Sequence, residues 1–484
     1  TLIRSTLRHS RTKEMTMNNF LSHVNDFLYS YILIFLLVGA GIYFSIRTRF
    51  VQLTLLKDAF LALKEKSSDG ENASGKPVSS FQALMISTAS RVGTGNIAGI
   101  ATALAAGGPG AIFWMWIMAV IGGASAFVES TLAQVYKVKD GDSFRGGPSY
   151  YIERALKKRW LGVLFSVLLI CCFAYGFNGL QAYNISSSFE YYVKDYSNTM
   201  LPAVVGAVLA LLTAVVIFGG VHRISFITSV LVPIMAGIYI LVGVYVTVTN
   251  LSSVPEMFQT ILSEAFDIES IIGGFAGSTV LIGIKRGLFS NEAGMGSAPN
   301  ASASAAVSHP VKQGLVQILS VFIDTLLICT TTAFILLLSN VKGVPGTLDG
   351  IPYVQAALQS SVGTWGIHFI TFSIFAFAFT SLVGNYYYAE ANILFIKNSP
   401  VLLNLFRITC LIAIFFGAQA NFSTVWNLAD VLMGLMALVN IFAILLLGNI
   451  AFRVLDDYRA QKKQGKDPVF QASSLNLTDT DAWN

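Results

Sequence analysis

The sequence predicts an all-α polytopic membrane protein of eleven transmembrane helices. Ten of them form a 5+5 inverted repeat, preceded by one extra helix. Three observations carry this. The chain is 54% hydrophobic and 12% charged, against about 25% charged in soluble globular chains. Its apolar residues cluster in runs of about 20, the length that crosses a bilayer as a helix. Two of those runs are interrupted by glycines, five spans apart. A β-barrel would instead show short alternating segments.

The spans are placed at 27–46, 80–106, 109–137, 160–186, 200–220, 224–249, 270–290, 311–339, 365–395, 401–419 and 424–451. The chain divides into an N-terminal tail (1–26), the extra helix (27–46), a first repeat (80–249), a second repeat (270–451) and a cytoplasmic tail (452–484). The 47–79 loop carries six Lys and Arg, the 137–159 region seven and the chain after Ala451 five. The connections near 107 and 420 carry none, and 250–269 holds only Glu256, Glu264, Asp267 and Glu269 as charges. By the positive-inside rule the N-terminus is outside and the C-terminus cytoplasmic. Residues 1–16 break the pattern with Arg4, Arg8, Arg11 and Lys13, so we expect the native start at Met15 or Met17. No cleavable signal pattern precedes the first span, which serves as the insertion signal. The expected setting is a multi-pass plasma membrane protein, in a bacterium the inner membrane. The net charge of +5 is spread over short loops, which argues against nucleic-acid binding. Cys171, Cys172, Cys329 and Cys410 lie in apolar runs without C-x-x-C spacing and are expected as free thiols.

The second span contains "ASRVGTGNIAGIA" (89–101). Its G-x-G-x-x-A spacing matches a dinucleotide fingerprint, but no strand precedes it and "FWMW" stands where an acidic residue is needed. Unwound backbone in lipid costs several kcal/mol per unpaired group, so it persists where a ligand uses those groups. A half-helix beginning near Thr94 to Ile97 offers N–H donors and a positive dipole end, suited to a carboxylate. A half-helix ending near Val92 offers carbonyls, suited to Na⁺ or an ammonium group. The seventh span is interrupted in "GIKRGLFSNEAGMG" (283–296). An odd number of spans separates the two interruptions, so they cross in opposite directions, as an inverted repeat requires. A lone G-x-G is more often a packing notch; the pairing favours a transport site.

Four stretches, "VGTGNIAGIATA" (92–103), "GGPGAIFWMWIMAVIG" (107–122), "FRGGPSYYIERAL" (144–156) and "GLFSNEAGMGSAPNA" (287–301), carry a resemblance to the alanine or glycine:cation symporter family. It extends over about 25–455. The resemblance implies a LeuT-like inverted-repeat fold and symport of small neutral amino acids with Na⁺, or in some members H⁺, with no organic cofactor. It implies that Thr94, Gly95 and Asn96 face the amino-acid carboxylate, that Gly283 and Ile284 at the second break meet the ammonium or side chain, and that Gln181 reaches the pocket. It further implies a sodium site from the carbonyls of Ala89 and Val92 and the hydroxyls of Thr380 and Ser381. The adjacent hydroxyls in "FTSLVG" support that pair independently; the competing role is back-bonding to their own helix. Asn385 departs from the pattern, because many family members carry Trp there. A smaller polar residue widens the wall or supplies a hydrogen bond, which loosens the expectation of alanine or glycine.

Charges inside spans are functional candidates by default. Glu129 is expected near the cytoplasmic boundary in an ion pair or interfacial position. Arg91 has three roles open to it: a pair with Glu129, a carbonyl partner, or a wall of the inner vestibule. Lys285 and Arg286 flank the second break and are read as an inner gate or helix end. Asp324, mid-span, is the candidate for proton coupling, and Asp430 lies nearer an outer, wet end. His222 and His309 occupy span ends, and Trp114 and Trp116 mark a membrane-facing or packing surface. The segment after Phe144 is expected to lie on the cytoplasmic interface with Tyr150 and Tyr151 against the membrane, and the tail after Tyr458 to be mobile. A channel would need a continuous polar pore, and an intramembrane enzyme a nucleophile–base or metal set. H-E-x-x-H, G-x-S-x-G and Walker A patterns are absent from the sequence.

Overall fold

The computed structural model describes residues 18–64, 78–141, 143–266 and 278–483. The segment read as a non-native start, Asp267 and Glu269, and the side chain of His222 lie outside the described residues. The chain is a multi-pass helical membrane protein. Eight described helices are long and apolar enough to cross a bilayer: α1 (Asn18–Arg47), α4 (Gly110–Val135), α6 (Arg159–Ser187), α8 (Arg223–Thr249), α12 (Pro310–Leu337), α14 (Trp365–Ile396), α15 (Pro400–Gly417) and α16 (Phe422–Lys463). Between them lie the interrupted pair α2 (Ser80–Arg91) and α3 (Ala98–Gly107), the short α5 (Pro148–Leu156), the apolar α7 (Leu201–Ile217) and the amphipathic α9 (Val254–Ala265). The second interrupted pair is α10 (Thr279–Asn291) and α11 (Pro299–Ala303), and α13 (Gly350–Val362) precedes α14. A two-stranded hairpin, Val138–Asp140 with Ser143–Arg145, sits in the loop before α5.

Local chemistry sets the ends. Ser79 and Gln82 form a reciprocal capping box at the start of α2. Ser278 accepts from the Leu281 N–H at the start of α10. Close packing against α4 uses small residues. A Cβ on Gly283 would lie 2.7 Å from the Trp114 Cβ, and one on Gly122 2.9 Å from the Ala293 Cβ. Of the three π-helical segments among the described residues, Leu28–Leu33 lies in α1, while Ile170–Phe177 in α6 and Ile323–Cys329 in α12 rotate the residues that follow or lie within them. Such bulges often occur at functional sites.

Several expectations change here. The seventh span stays helical through Gly283, Ile284, Lys285 and Arg286, and unwinds only at 292–298. Glycine alone does not break a helix whose i→i−4 bonds remain available; Gly283 is a packing notch. Tyr150 and Tyr151 are buried. Tyr150 meets Phe395 edge to face, and Tyr151 donates to Asn440. They belong to the protein core because α5 folds under α6 and α16. The tail is docked rather than mobile. Phe470 N–H donates to Ser308 O at 2.9 Å, Lys312 pairs with Asp467 at 2.9 Å, and Trp483 Nε1 donates to Gln134 O at 2.7 Å. Polar composition did not predict this, because the few apolar residues (Phe470, Ala472, Trp483) provide the anchorage. His309 caps α12 and faces Asp457 at 3.2 Å, Trp114 and Trp116 hydrogen-bond to Ala265 O and Thr330, and all four cysteines are free.

Candidate functional site

The first break accounts for its freed backbone groups with side chains from other helices. Ser381 Oγ on α14 lies 2.9 Å from Ala89 O and 3.4 Å from Val92 O. The same hydroxyl reaches Phe377 O in its own helix at 3.1 Å, and Thr380 makes only that kind of bond, to Phe377 O at 2.9 Å. Thr94 N–H donates to Gln181 Oε1 on α6 at 3.1 Å, and Gly93 N–H donates to Asn96 Oδ1 at 3.0 Å. Thr94 Oγ1 is buried with no protein partner. A Cβ on Gly95 would fall 2.7 Å from the Phe289 ring, so glycine is what lets that ring approach. Phe289 in turn packs against Phe177 and Trp426 with centroids 5.0 and 5.1 Å apart.

Asn96 turns away from this space. Its Nδ2 donates to Asp324 Oδ1 at 2.6 Å and lies near Ser290 Oγ and Cys329 Sγ. Ser290 donates to the other Asp324 oxygen at 2.5 Å. The amide therefore ties the first break to α10 and to the π-helical turn of α12.

The second break is held by a charge. Glu129, fully buried on α4, accepts from Gly294 N–H at 3.3 Å, Gly296 N–H at 3.1 Å and Asn440 Nδ2 at 2.8 Å. It stands beside the unwound backbone rather than at an interface, because α4 crosses α10 and α11 at that depth. Of the three roles open to Arg91, the pair with Glu129 is not among the ion pairs of the described residues. Arg91 Nη1 instead donates to Gln317 at 3.2 Å, and its Nε and Nη2 are buried without a protein acceptor. Glu129, Glu292 and Asp324 all lie within electrostatic reach of it.

Lys285 and Arg286 both grip Asp430 Oδ2, at 2.7 and 2.8 Å. Tyr29 of α1 donates to Asp430 O at 3.1 Å. Asp430 is 1% exposed rather than wet, because two cations and α1 cover it. The cluster joins the start of α16 to the half-helix before the second break.

Sequence reasoning passed over Glu292, Asn178, Ser90 and Phe289. Glu292 adopts φ +54° at the end of α10 and accepts from Ser90 Oγ at 3.2 Å and Ser297 Oγ at 2.5 Å. Ser90 Oγ also reaches Asn385 Oδ1 at 2.7 Å, and Asn385 Nδ2 donates to Asn178 Oδ1 at 3.0 Å. The rule for intramembrane charges applies to Glu292 once the span is extended past 290. Asn178 was legible as the residue one turn before Gln181.

Two interrupted helices meeting mid-bundle, with a scaffold that caps their free backbone groups, define a membrane transporter of the LeuT-like class rather than an enzyme. The same fold is found in MhsT, solved in complex with L-phenylalanine, at a TM-score of 0.57 and 13% identity, covering 79% of this chain and 99% of that one. The chain belongs to the sodium:alanine symporter family, whose model matches residues 14–472. It is 48% identical to the amino-acid carrier protein AlsT of Bacillus subtilis, over 97% of this chain and 98% of the relative. It is also 48% identical to the probable sodium/glutamine symporter GlnT of the same organism, over 96% and 97%.

Proposed function

We propose that this protein imports a small neutral amino acid together with Na⁺ by alternating access, with alanine or glycine as first candidates. The observation that carries the reading is the convergence of Ala89 O, Val92 O and Ser381 Oγ at the end of a half-helix. Hard oxygen donors at a negative dipole end suit a sodium ion. Thr380 stands beside them and completes the set by a change of rotamer. A turn away, the N–H groups at Thr94 and Gly95 face the substrate carboxylate, with Gln181 as the exchangeable partner that holds Thr94 N–H beforehand. Asn96 positions this turn through Asp324 rather than binding the carboxylate itself. Lys285, Arg286 and Asp430 form an outer gate. Glu129 and Arg91 hold the inner frame around the second break.

The N-terminus lies outside and the C-terminus in the cytoplasm of a cell that keeps a sodium gradient. One Na⁺ with a zwitterion moves one net charge, for which 100 mV supplies about 2.3 kcal/mol. A tenfold Na⁺ gradient adds about 1.4 kcal/mol, enough in sum for accumulation of a few hundredfold. Proton coupling is the second reading, favoured by Asp324 and Glu292, buried carboxylates beside the two breaks. Counterflow of labelled alanine in proteoliposomes decides between them, with Na⁺, Li⁺ and pH gradients imposed separately. Uptake driven by Na⁺ alone is expected; uptake indifferent to Na⁺ and driven by a pH gradient would transfer the coupling to the carboxylates.

A further inference from the structure

We infer that Arg91 is a fixed positive charge that bars small cations from slipping between the coupling site and the cytoplasm. The inference rests on the symport reading and adds to it a residue that keeps transport coupled.

α2 and α12 meet along a polar seam. Gln313, Gln317 and Ser320 lie four and three residues apart on α12, on one face, and Asp324 follows a turn later. All four are fully buried. Gln313 Nε2 donates to Ser80 Oγ, at the start of α2, at 2.9 Å. Ser87 and Thr88 lie 3.4 and 3.2 Å from Ser320 Oγ. Arg91 donates to Gln317 at 3.2 Å, and Asn96 to Asp324 at 2.6 Å. The seam therefore runs from the end of α12 where the tail docks to the first break. In the proposed orientation, that is from the cytoplasm to the coupling site. Arg91 lies between Ala89 and Val92, whose carbonyls meet Ser381 on α14, and its side chain leaves α2 toward α12.

The hydrogen bonds of this seam do not close within the protein. Gln313 Oε1, Gln317 Nε2 and the Nε and Nη2 of Arg91 are buried with no protein partner. Turning the amides over leaves the shortage in place. Gln317 would then point its NH₂ at the guanidinium, and Gln313 would leave its NH₂ unpaired instead. Buried polar groups of this kind take up water. A wet polar seam that ends on the Asp324 carboxylate is a leak path for cations. Arg91 interrupts it. At its level the unpaired groups are all N–H donors, from the guanidinium and from Gln317 Nε2. A full positive charge among donors repels a cation and still admits water. No carboxylate consumes that charge. Glu129 is served by Gly294, Gly296 and Asn440, Glu292 by Ser90 and Ser297, and Asp324 by Asn96, Ser290 and Thr325.

The test uses the full chain in proteoliposomes with no amino acid present. Efflux of labelled Na⁺ is followed in one sample, and proton entry under an imposed potential in another. Wild type is expected to pass neither ion faster than empty vesicles. Arg91→Gln should raise at least one of the two fluxes about tenfold, and Arg91→Lys should restore tightness. Gln317→Glu keeps the arginine and neutralises it, and should leak as Arg91→Gln does. Tight vesicles with both Arg91→Gln and Gln317→Glu would overturn the inference, whatever their uptake. So would an equal leak from Arg91→Lys, which would assign the effect to shape rather than charge. Should Arg91→Gln fail to fold, Gln317→Glu decides alone. Counterflow of labelled alanine in the same preparations reads symport separately. Its absence in wild type would overturn the symport reading and the coupling role with it, whereas tight variants with intact counterflow would overturn the barrier alone.

Discussion

The two breaks are topological counterparts, yet they are held in different ways. At the first, neutral groups meet the freed backbone: Ser381 the carbonyls of Ala89 and Val92, Gln181 the Thr94 N–H. At the second, the Glu129 carboxylate closes on the N–H groups of Gly294 and Gly296, with Asn440 bridging acid and backbone. A charge-assisted bond to a buried backbone is about twice as strong as a neutral one. The first break is built from partners that an ion or a carboxylate can replace, and the second from one that it cannot. On the proposed function, one half of the pseudo-symmetric pair serves as the ligand site and the other as its fixed support.

Substitutions at the two breaks should therefore fail differently. Glu129→Ala strands two N–H groups, at about 1–3 kcal/mol each, and leaves Asn440 Nδ2 with Gly294 O alone. It should abolish folded protein in the membrane, read as loss of monodisperse material after extraction, with Glu129→Gln partly restoring it. Ser381→Ala should leave yield and melting temperature near wild type while raising the sodium concentration for half-maximal uptake about tenfold. Were Glu129→Ala to fold normally and shift only sodium affinity, the contrast would collapse.

Gly283→Ala sharpens the comparison from the other side. Because Gly283 is a notch against α4, the methyl should cost about 1–3 kcal/mol of stability by overpacking, with substrate affinity in the surviving protein unchanged. A selective loss of affinity would return Gly283 to the ligand site. The smallest effect is expected at the tail. Arg154 donates to Asp481 at 2.8 Å and holds that carboxyl below its ordinary value. The pair is largely exposed, so Asp481→Asn should cost less than about 1 kcal/mol. A lowered carboxyl stabilises above its unfolded titration and loses this as pH falls through the folded one, so the tail contact should weaken only in acid. Protease sensitivity of the tail, compared at neutral and acid pH, reads this directly.

The fold class was legible because span length and a paired interruption are global patterns. The first break was placed to the residue, since Gly93 and Gly95 sit beside polar residues that need partners. Ser381 was legible as one of two adjacent hydroxyls in an apolar span, and Gln181 only through the family resemblance. The second break was displaced by a turn or more. Glycine content does not separate a notch from an unwound turn; the distinction lies in whether another helix brings an acceptor, and Glu129 is far away in sequence. Arg91 was recognised as anomalous, but its partner Gln317 is 226 positions distant. The docked tail escaped for the same reason: a few anchors outweigh a polar average.

The extra helix has a consequence for how the chain is assembled. Tyr29 donates to Asp430, 401 positions later, and Gly434 on α16 lies against Leu33. During synthesis α1 enters the bilayer long before its partner exists. Its buried face must wait in lipid until α16 is inserted, so the contact that covers Asp430 is also the step that closes the bundle. A nascent chain halted before α16 would expose Lys285 and Arg286 without their carboxylate.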